Sequence, residues 1–558
     1  MKGPANPDVT VTVIVYNDAE RLPRAVESVR RQTHAHIEII ISDDHSTDET
    51  PAVARRLAAR DPRIRVLRLP ENSGGCGAPR NRALEIARAP YVMFLDSDDE
   101  LTDSAVELLL AAHREREIDF AMGAVERIRE DGGRRTTWMP QLVAERRTVA
   151  GIESEPRLLF EHLSTSKMYA RAFLDRHDLR FPEGIHYEDQ LFSAQAYCLA
   201  KEFTIVPEPV YRWHIEPYAA TDARSISNQR HRLENVRDRV HVQRLVDDFL
   251  AESGHGALRE DKDYKFLKHD FRMYAGDLPY RDDDWLASFA DIVNPYLDTL
   301  SPAAYARLPR PDRVVLQLIR DRRFPEARAA ARGLAHAVAP SRITTDAEGR
   351  PYWGETLPAT DWSRRELDIT DLDLDTRPFR DALFRHEITE ITRGPGICSL
   401  DLTIRTYDPG LRLPVGPHRA ALLLATGPHR LTAPFRLSPL RPGVFEGHAH
   451  LDLAAAPLPL HGFAATRHPQ LRIEHRTRTN TSILLAPSTF PTWTTRVPYH
   501  AGTTPHRVTI EPEPRAPGRL QIHWQPVGLA GKLIRPTLRR LAHPRLRRTA
   551  RLLRSALR

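Results

Sequence analysis

Acidic residues run out after Glu513: the last 45 residues hold no Asp or Glu and twelve Lys or Arg. The formal net charge of +7 is therefore a property of a tail, and the rest of the chain carries −5. That distribution excludes a general basic surface, so nucleic acid is not an expected partner. Cysteine is nearly absent. Cys76, Cys198 and Cys398 are far apart, odd in number and in no C-x-x-C spacing. A disulfide framework and a zinc site are both excluded, and a reducing cytoplasm suits such a chain. No apolar run approaches the roughly 18 residues that would suggest a membrane span. The first fifteen residues lack a signal-peptide core, because Thr10 and Thr12 break their apolar run. The expected location is cytoplasmic, either free or peripheral on the inner face of the cell membrane.

What is present divides by character. The 558 residues suggest three or four domains. Residues 1–226 alternate strand and helix patterns. Strands are expected at Val9–Val15, 37–42, 64–69 and 91–95, and helices at 19–32, 47–60 and 80–87. The second helix is expected to be capped by Ser46 or Thr47. Alternation of this kind builds a mostly parallel sheet covered on both faces. Residues 227–340 read as a helical linker domain, with apolar residues at helical spacing in runs such as 264–271. Residues 341–527 break into short strand-like runs between Pro and Gly turns, at 398–405, 419–425, 470–474 and 481–485. That pattern fits an Ig-like β-sandwich or two small ones. Residues 528–558 form a basic amphipathic helix or tail, with Leu546, Ala550, Leu553 and Leu557 on one face. Such a tail either packs as a solvated helix on its own domain or contacts an anionic membrane surface.

The chemistry-bearing residues sit where strands end. Asp96-Ser97-Asp98-Asp99 follows the apolar strand 91–95 directly. Carboxylates at the C-terminal edge of such a sheet lie where α/β ligands bind. Three of them within four residues repel one another unless a cation or donors compensate, and a hard divalent ion bridging to a diphosphate does so. Asp43-Asp44-His45-Ser46-Thr47-Asp48 ends the second strand, with one carboxylate more than a helix cap needs. Asn72-Ser73-Gly74-Gly75-Cys76-Gly77-Ala78-Pro79-Arg80-Asn81 follows the third; it is neither a Walker loop nor a dinucleotide fingerprint. Further on, Glu188-Asp189 opens the apolar helix 191–199, as a helix-dipole cap or as something more.

In order and separation these segments resemble glycosyltransferase family 2, whose fold is GT-A, a Rossmann-like mixed sheet. The resemblance spans about 100 residues, with Ile14 in place of a frequent Pro and His45 in place of a frequent Gly. It implies a nucleotide-sugar site built from Val15, Tyr16, Asn17, Asp44, Asn72, Arg80 and Asp96. Asp44 would contact the uracil, while Asp96 and Asp98 would hold Mn2+ or Mg2+. Arg224 and Ser225, with residues 211–214, correspond to a lid over the diphosphate; His214 reads as structural. Asp189 corresponds to the general base of an inverting transfer, with Glu188 beside it, and Lys167 and His186 fall where acceptor would bind. His448 and His450 read as surface residues. Donor choice is expected around 184–189 and 127–140.

The layout as a whole is similar to wall teichoic acid glycosyltransferases. By that likeness the donor is a UDP-sugar, the acceptor an anionic envelope polymer or glycan, and the C-terminal region allows a homotrimer. Two other readings compete: a transferase for a lipid-linked or capsular saccharide, and a polymer-binding scaffold with a dead catalytic domain. Retention of Asp96, Asp98 and Asp189 argues against the scaffold.

Overall fold

The computed structural model describes residues 7–129, 135–215, 229–331, 343–395, 399–426, 429–453, 465–485, 493–497, 506–512 and 520–526. Arg224, Ser225, Cys398 and the basic tail lie outside the described residues. The chain divides into two compact units, Met1–Arg272 with Ala287–Leu308, and Met273–Leu286 with Pro309–Arg558. The segment expected to be helical at 227–340 is mostly helical in its described part, and its residues fall in both units.

The first unit runs β1 (Val9–Val15), α1 (Leu22–Arg30), β2 (Ile37–Asp43), α2 (Thr50–Arg60), β3 (Ile64–Arg68), α3 (Gly77–Ile86), β4 (Tyr91–Asp96), β5 (Glu100–Leu101), α4 (Ala105–Glu115) and β6 (Phe120–Arg129). Then come β7 (Thr136–Thr137), β8 (Arg147–Val149), β9 (Lys167–Ala170), α5 (Arg171–Arg176), α6 (Glu188–Leu199), β10 (Phe203–Ile215), α7 (Leu233–Glu252) and α8 (Arg259–Lys265). The sheet order is β3-β2-β1-β4-β9-β6-β10-β5. Strands β3, β2, β1 and β4 are mutually parallel, while β9 is antiparallel to both its neighbours, so the sheet is mixed. β1 and β2 are buried at every residue, as the unbroken Val/Ile runs of a twice-covered sheet require. One face packs Val11, Val13, Ile39 and Leu95 against α1, α2 and α4; the other packs Phe94, Phe120 and Tyr169 against α5 and α6.

Register places the acids. Val15 lies opposite Asp43 and Ile14 opposite Asp96, so the ends of β2 and β4 flank the end of β1 at one edge.

Three helix starts differ from expectation: α1 begins at Leu22, three residues later than expected, and α2 and α3 are shifted as well. α2 begins at Thr50. Ser46 and Thr47 do not cap it, because the Ser46 hydroxyl accepts from the Asn17 amide (2.9 Å) and the Thr47 amide donates to the Asn17 side chain (2.8 Å). α3 begins at Gly77, three residues earlier than expected. A Cβ there would stand 2.2 Å from the Pro182 carbonyl, and one at Gly75 would stand 2.7 Å from that of Ile185. These glycines let residues 182–185 press against the start of α3, which accounts for the Gly-rich loop.

In the second unit the expected sandwich closes on itself. Strands Arg385–Arg393, Ser399–Tyr407, Val444–Asp452, His429–Arg441, His418–Thr426, Gln470–His475 and Arg478–Leu485 form a barrel, sealed by parallel pairing of the last with the first. Its core includes Ile388, Leu402, Ile404, Leu422, Leu451 and Ile473. A four-stranded sheet of Ala465–Arg467, Leu520–Pro526, His506–Pro512 and Trp493–Val497 accompanies it.

Candidate active site

One end of the candidate site is built on β1, β2 and the loop after β3. The Asp44 amide donates to the Val15 carbonyl (2.9 Å). The Asp44 carboxylate accepts from the Asn72 side chain (2.9 Å) and the Ser73 amide (3.0 Å). Burial nonetheless pushes this carboxyl above its ordinary range. Val15, Asp44 and Asn72 are thus tied together, Asn17 is bonded to Ser46 and Thr47, and the Tyr16 ring is half exposed. His45 sits at φ 60°, a left-handed conformation in which glycine is strain-free, and its ring meets the Leu69 carbonyl at 3.1 Å.

The acids after β4 take two roles. Asp99 is buried and accepts from the Tyr211 hydroxyl (2.6 Å) and the His214 amide (2.7 Å). It fastens the loop to β10, and burial pushes its carboxyl well upward. His214 itself bonds Glu100 at 2.9 Å, the structural role expected of it. Asp96 and Asp98 keep about a third of their side-chain surface in solvent. Burial and the nearby Asp96 charge push Asp98 up to about 6, against the lowering effect of Arg21, 3.7 Å away. Arg24 donates to the Asp98 carbonyl, and Asp18 accepts from Ser97 (2.7 Å) and Arg21 (2.8 Å). Sequence reasoning missed Asp18, Arg21 and Arg24; their only signal was position, just past β1.

Among the described residues no group of three or more His, Cys, Asp or Glu converges as a metal cage. Two partly exposed carboxylates in mutual repulsion do fit Mg2+ or Mn2+, which bind through one or two carboxylates with the remaining positions open to phosphate oxygens and water. Asp96 and Asp98 are the residues that would hold it.

Arg80 joins this region to the second acidic element. Its guanidinium is buried, pairs with Asp96 at 2.8 Å and with Glu188, and lies over the Phe181 ring at 5.1 Å. Neighbouring Asn81 exchanges two 2.9 Å hydrogen bonds with the Phe181 backbone. Phe181 stacks on Phe192 of α6 at 3.8 Å. The approach of residues 181–188 to α3 is fixed by these contacts.

Asp189 is the next residue after Glu188. Among the described residues its carboxylate has no hydrogen bond or ion pair. Burial and the Glu188 charge push it up to about 7, opposed by Arg80 and Lys265. A carboxylate so placed takes a proton near neutral pH. His186 pairs with Asp238 at 2.8 Å and remains partly exposed.

Lys167 is not at an acceptor surface. It is fully buried, paired with Glu161, and donates to the Leu163 carbonyl (2.5 Å). The sequence shows a charged residue near an active-site segment but not that its partner lies six residues back. Lys167→Met is expected to cost about 3–5 kcal/mol in urea unfolding, because it strands a buried carboxylate, while nucleotide affinity in calorimetry stays unchanged.

In the 127–140 stretch, Arg127 lies over the Trp138 and Trp213 rings, at 5.3 and 5.4 Å. His448 and His450 are exposed on the barrel, bonded to Thr403 and Asp401. Cys76 and Cys198 are free thiols.

Residues 10–177 match the model of glycosyl transferase family 2. The chain is 30% identical over 224 residues to the poly(ribitol-phosphate) beta-N-acetylglucosaminyltransferase TarP of Staphylococcus aureus, a stretch covering 39% of this chain and 66% of TarP. It is 31% identical over 219 residues to the succinoglycan biosynthesis protein ExoO of Rhizobium meliloti, covering 38% of this chain and 61% of that protein. These matches thus span less than two thirds of the relatives' own length. Among solved structures, that of S. aureus TarS covers 95% of this chain and 86% of its own at 18% identity, with a TM-score of 0.47. No helix among the described residues is long and apolar enough to cross a membrane.

Proposed function

We propose that the protein is an inverting, metal-dependent glycosyltransferase that moves a hexose or N-acetylhexosamine from a UDP-sugar to a hydroxyl of an anionic envelope polymer such as teichoic acid. The observation that carries this reading is the Arg80 clamp. One buried cation holds Asp96, at the end of β4, and Glu188, beside the unpaired Asp189.

Asp44 and Asn72 supply the acceptor and donor groups that a uracil edge needs, and Asp96 faces the ribose and diphosphate. When bound at Asp96 and Asp98, the divalent ion neutralises charge on the departing diphosphate. Asp189 receives the proton of the attacking sugar hydroxyl. Attack from the face opposite the leaving group inverts the anomeric carbon. Arg80 keeps the donor and base elements in register, so the hydroxyl is oriented as well as deprotonated.

The acceptor class rests on the name of the S. aureus relative and on the twelve cations after Glu513, which suit an acidic polymer or an anionic membrane surface near it. The likeness to ExoO favours a second acceptor class, an exopolysaccharide precursor.

Calorimetric titration with UDP, GDP and dTDP, with and without Mn2+, tests the donor site. Metal-dependent binding of UDP alone is the expected result; folded protein that binds no nucleotide overturns the reading. Incubation with UDP-N-acetylglucosamine and either poly(ribitol phosphate) or a neutral exopolysaccharide precursor separates the two acceptors. Asp98→Asn is expected to remove the metal-dependent part of UDP affinity and leave the metal-free part.

A further inference from the structure

The residues on either side of Glu188-Asp189 are held from behind by a segment that reads as a linker in sequence. Tyr187 has φ 68°, a left-handed conformation that a non-glycine residue keeps only when its surroundings fix it. Those surroundings are on α7: the Tyr187 hydroxyl donates to the Asn235 side chain (2.8 Å), and the Arg239 guanidinium lies 3.5 Å over the Tyr187 ring. On the other side, Gln190 Oε1 accepts from Gln243 of α7 and from Lys265, the last residue of α8. Lys265 and Arg239 share one carboxylate, Asp270, each at 2.7 Å. All three are buried. Asp270 belongs to a π-helical turn, Phe266–Phe271, which follows α8 directly. Such turns interrupt helices frequently at functional sites.

We propose that Lys265 is the positioning residue of the Asp189 base: it holds the first turn of α6 through Gln190 and supplies the buried positive charge that faces Asp189 from behind. This rests on the reading of Asp189 as general base. The charged and titratable groups facing Asp189 are Glu188 on its own helix, Arg80 on α3, Asp96 on β4, Tyr169 on β9 and Lys265 on α8. Arg80 is already shared between two carboxylates, so Lys265 is the cation of this set without a second task at the donor end. Asp270 keeps it charged against the penalty of burial. The ionised form of Asp189 is the one that accepts a proton, and an adjacent cation favours that form.

The test is the pH dependence of sugar transfer by the full chain, with UDP-N-acetylglucosamine as donor and the acceptor on which the unaltered protein is active. Lys265→Met is expected to move the acidic limb of kcat/KM upward by about one pH unit. That is roughly a tenfold loss on the acid side, with recovery on the alkaline side and an unchanged UDP dissociation constant. Lys265→Arg, which keeps the charge, is expected to leave the limb in place. If the Met variant does not fold, Lys265→Gln is read instead, with the same expected shift. A drop uniform across pH with no movement of the limb overturns the part assigned to the Lys265 charge and leaves the base assignment standing. Near-normal transfer by Asp189→Asn overturns both.

Discussion

Asp189→Asn is expected to lower sugar transfer by about 10²–10⁴-fold, the usual contribution of a positioned general base, while UDP affinity changes little. Asn keeps the shape and loses only the ability to take a proton. The nucleotide groups, Asp44 and Asn72, are on other elements and bond each other. In the unaltered protein the same carboxyl is expected to set the pH profile. Its pKa is raised to about 7, so transfer should fall as pH drops through that value. There is a stability counterpart. An ordinary Asp titrates near 3.9. Between that value and about 7 the folded protein keeps a proton that the unfolded chain releases, so Asp189 makes stability decline as pH rises through this window. Removing the charge should raise Tm at pH 8 and do little below pH 4. Thermal unfolding at the two pH values, beside transfer assays, checks both halves. A variant that is more stable yet inactive is the signature of a base held at energetic cost.

Arg80→Lys should cost nearly as much, by another route. The guanidinium meets Asp96 and Glu188 at once and lies against Phe181. An ammonium is a point charge that cannot reproduce that fork. Losing one partner of a buried ion pair typically costs about 3–5 kcal/mol, so a marked fall in Tm is expected, with transfer and UDP binding both lost by more than about tenfold. Mn2+ should restore part of the lost stability, because it offsets the acids that Arg80 no longer compensates. Calorimetry and thermal scans with and without Mn2+ read this directly. Unchanged transfer in the Lys variant would mean that the two acidic elements do not need a common clamp.

The gathering of the acids at one sheet edge was legible in the sequence because its logic is local. Apolar runs such as Val9–Val15 can only be buried strands, and acids just past such strands land on one sheet edge whatever the rest of the chain does. The Glu188-Asp189 segment was legible as a motif, but its buried surroundings were not. Lys265 and Asp270 sit in a run that looks like a solvated amphipathic helix. Nothing in the spacing says that both are buried, or that the helix loosens into a π turn between them. Lys167 fails for the same reason: periodicity reports where apolar residues go, and a buried ion pair leaves no period. Ser46 and Thr47 have the composition of a helix cap, but Asn17, 29 residues away from Ser46, claims them first. Closure of the C-terminal strands into a barrel depends on a parallel pairing between residues about a hundred positions apart, which local alternation cannot encode.

The spacing of Arg80 and Glu188, 108 residues apart, gives the site an order of completion during synthesis. The chain leaves the ribosome at about 5–20 residues per second. The strands that carry Asp44, Asp96 and Asp98 are available once the first hundred residues have emerged. Asp189 appears several seconds later, and Asp270, the counterion of its buttress, later still. On the proposed function, a nascent chain can therefore shape the Asp44, Asp96 and Asp98 end of the site before the Glu188-Asp189 segment and the Lys265–Asp270 pair behind it exist.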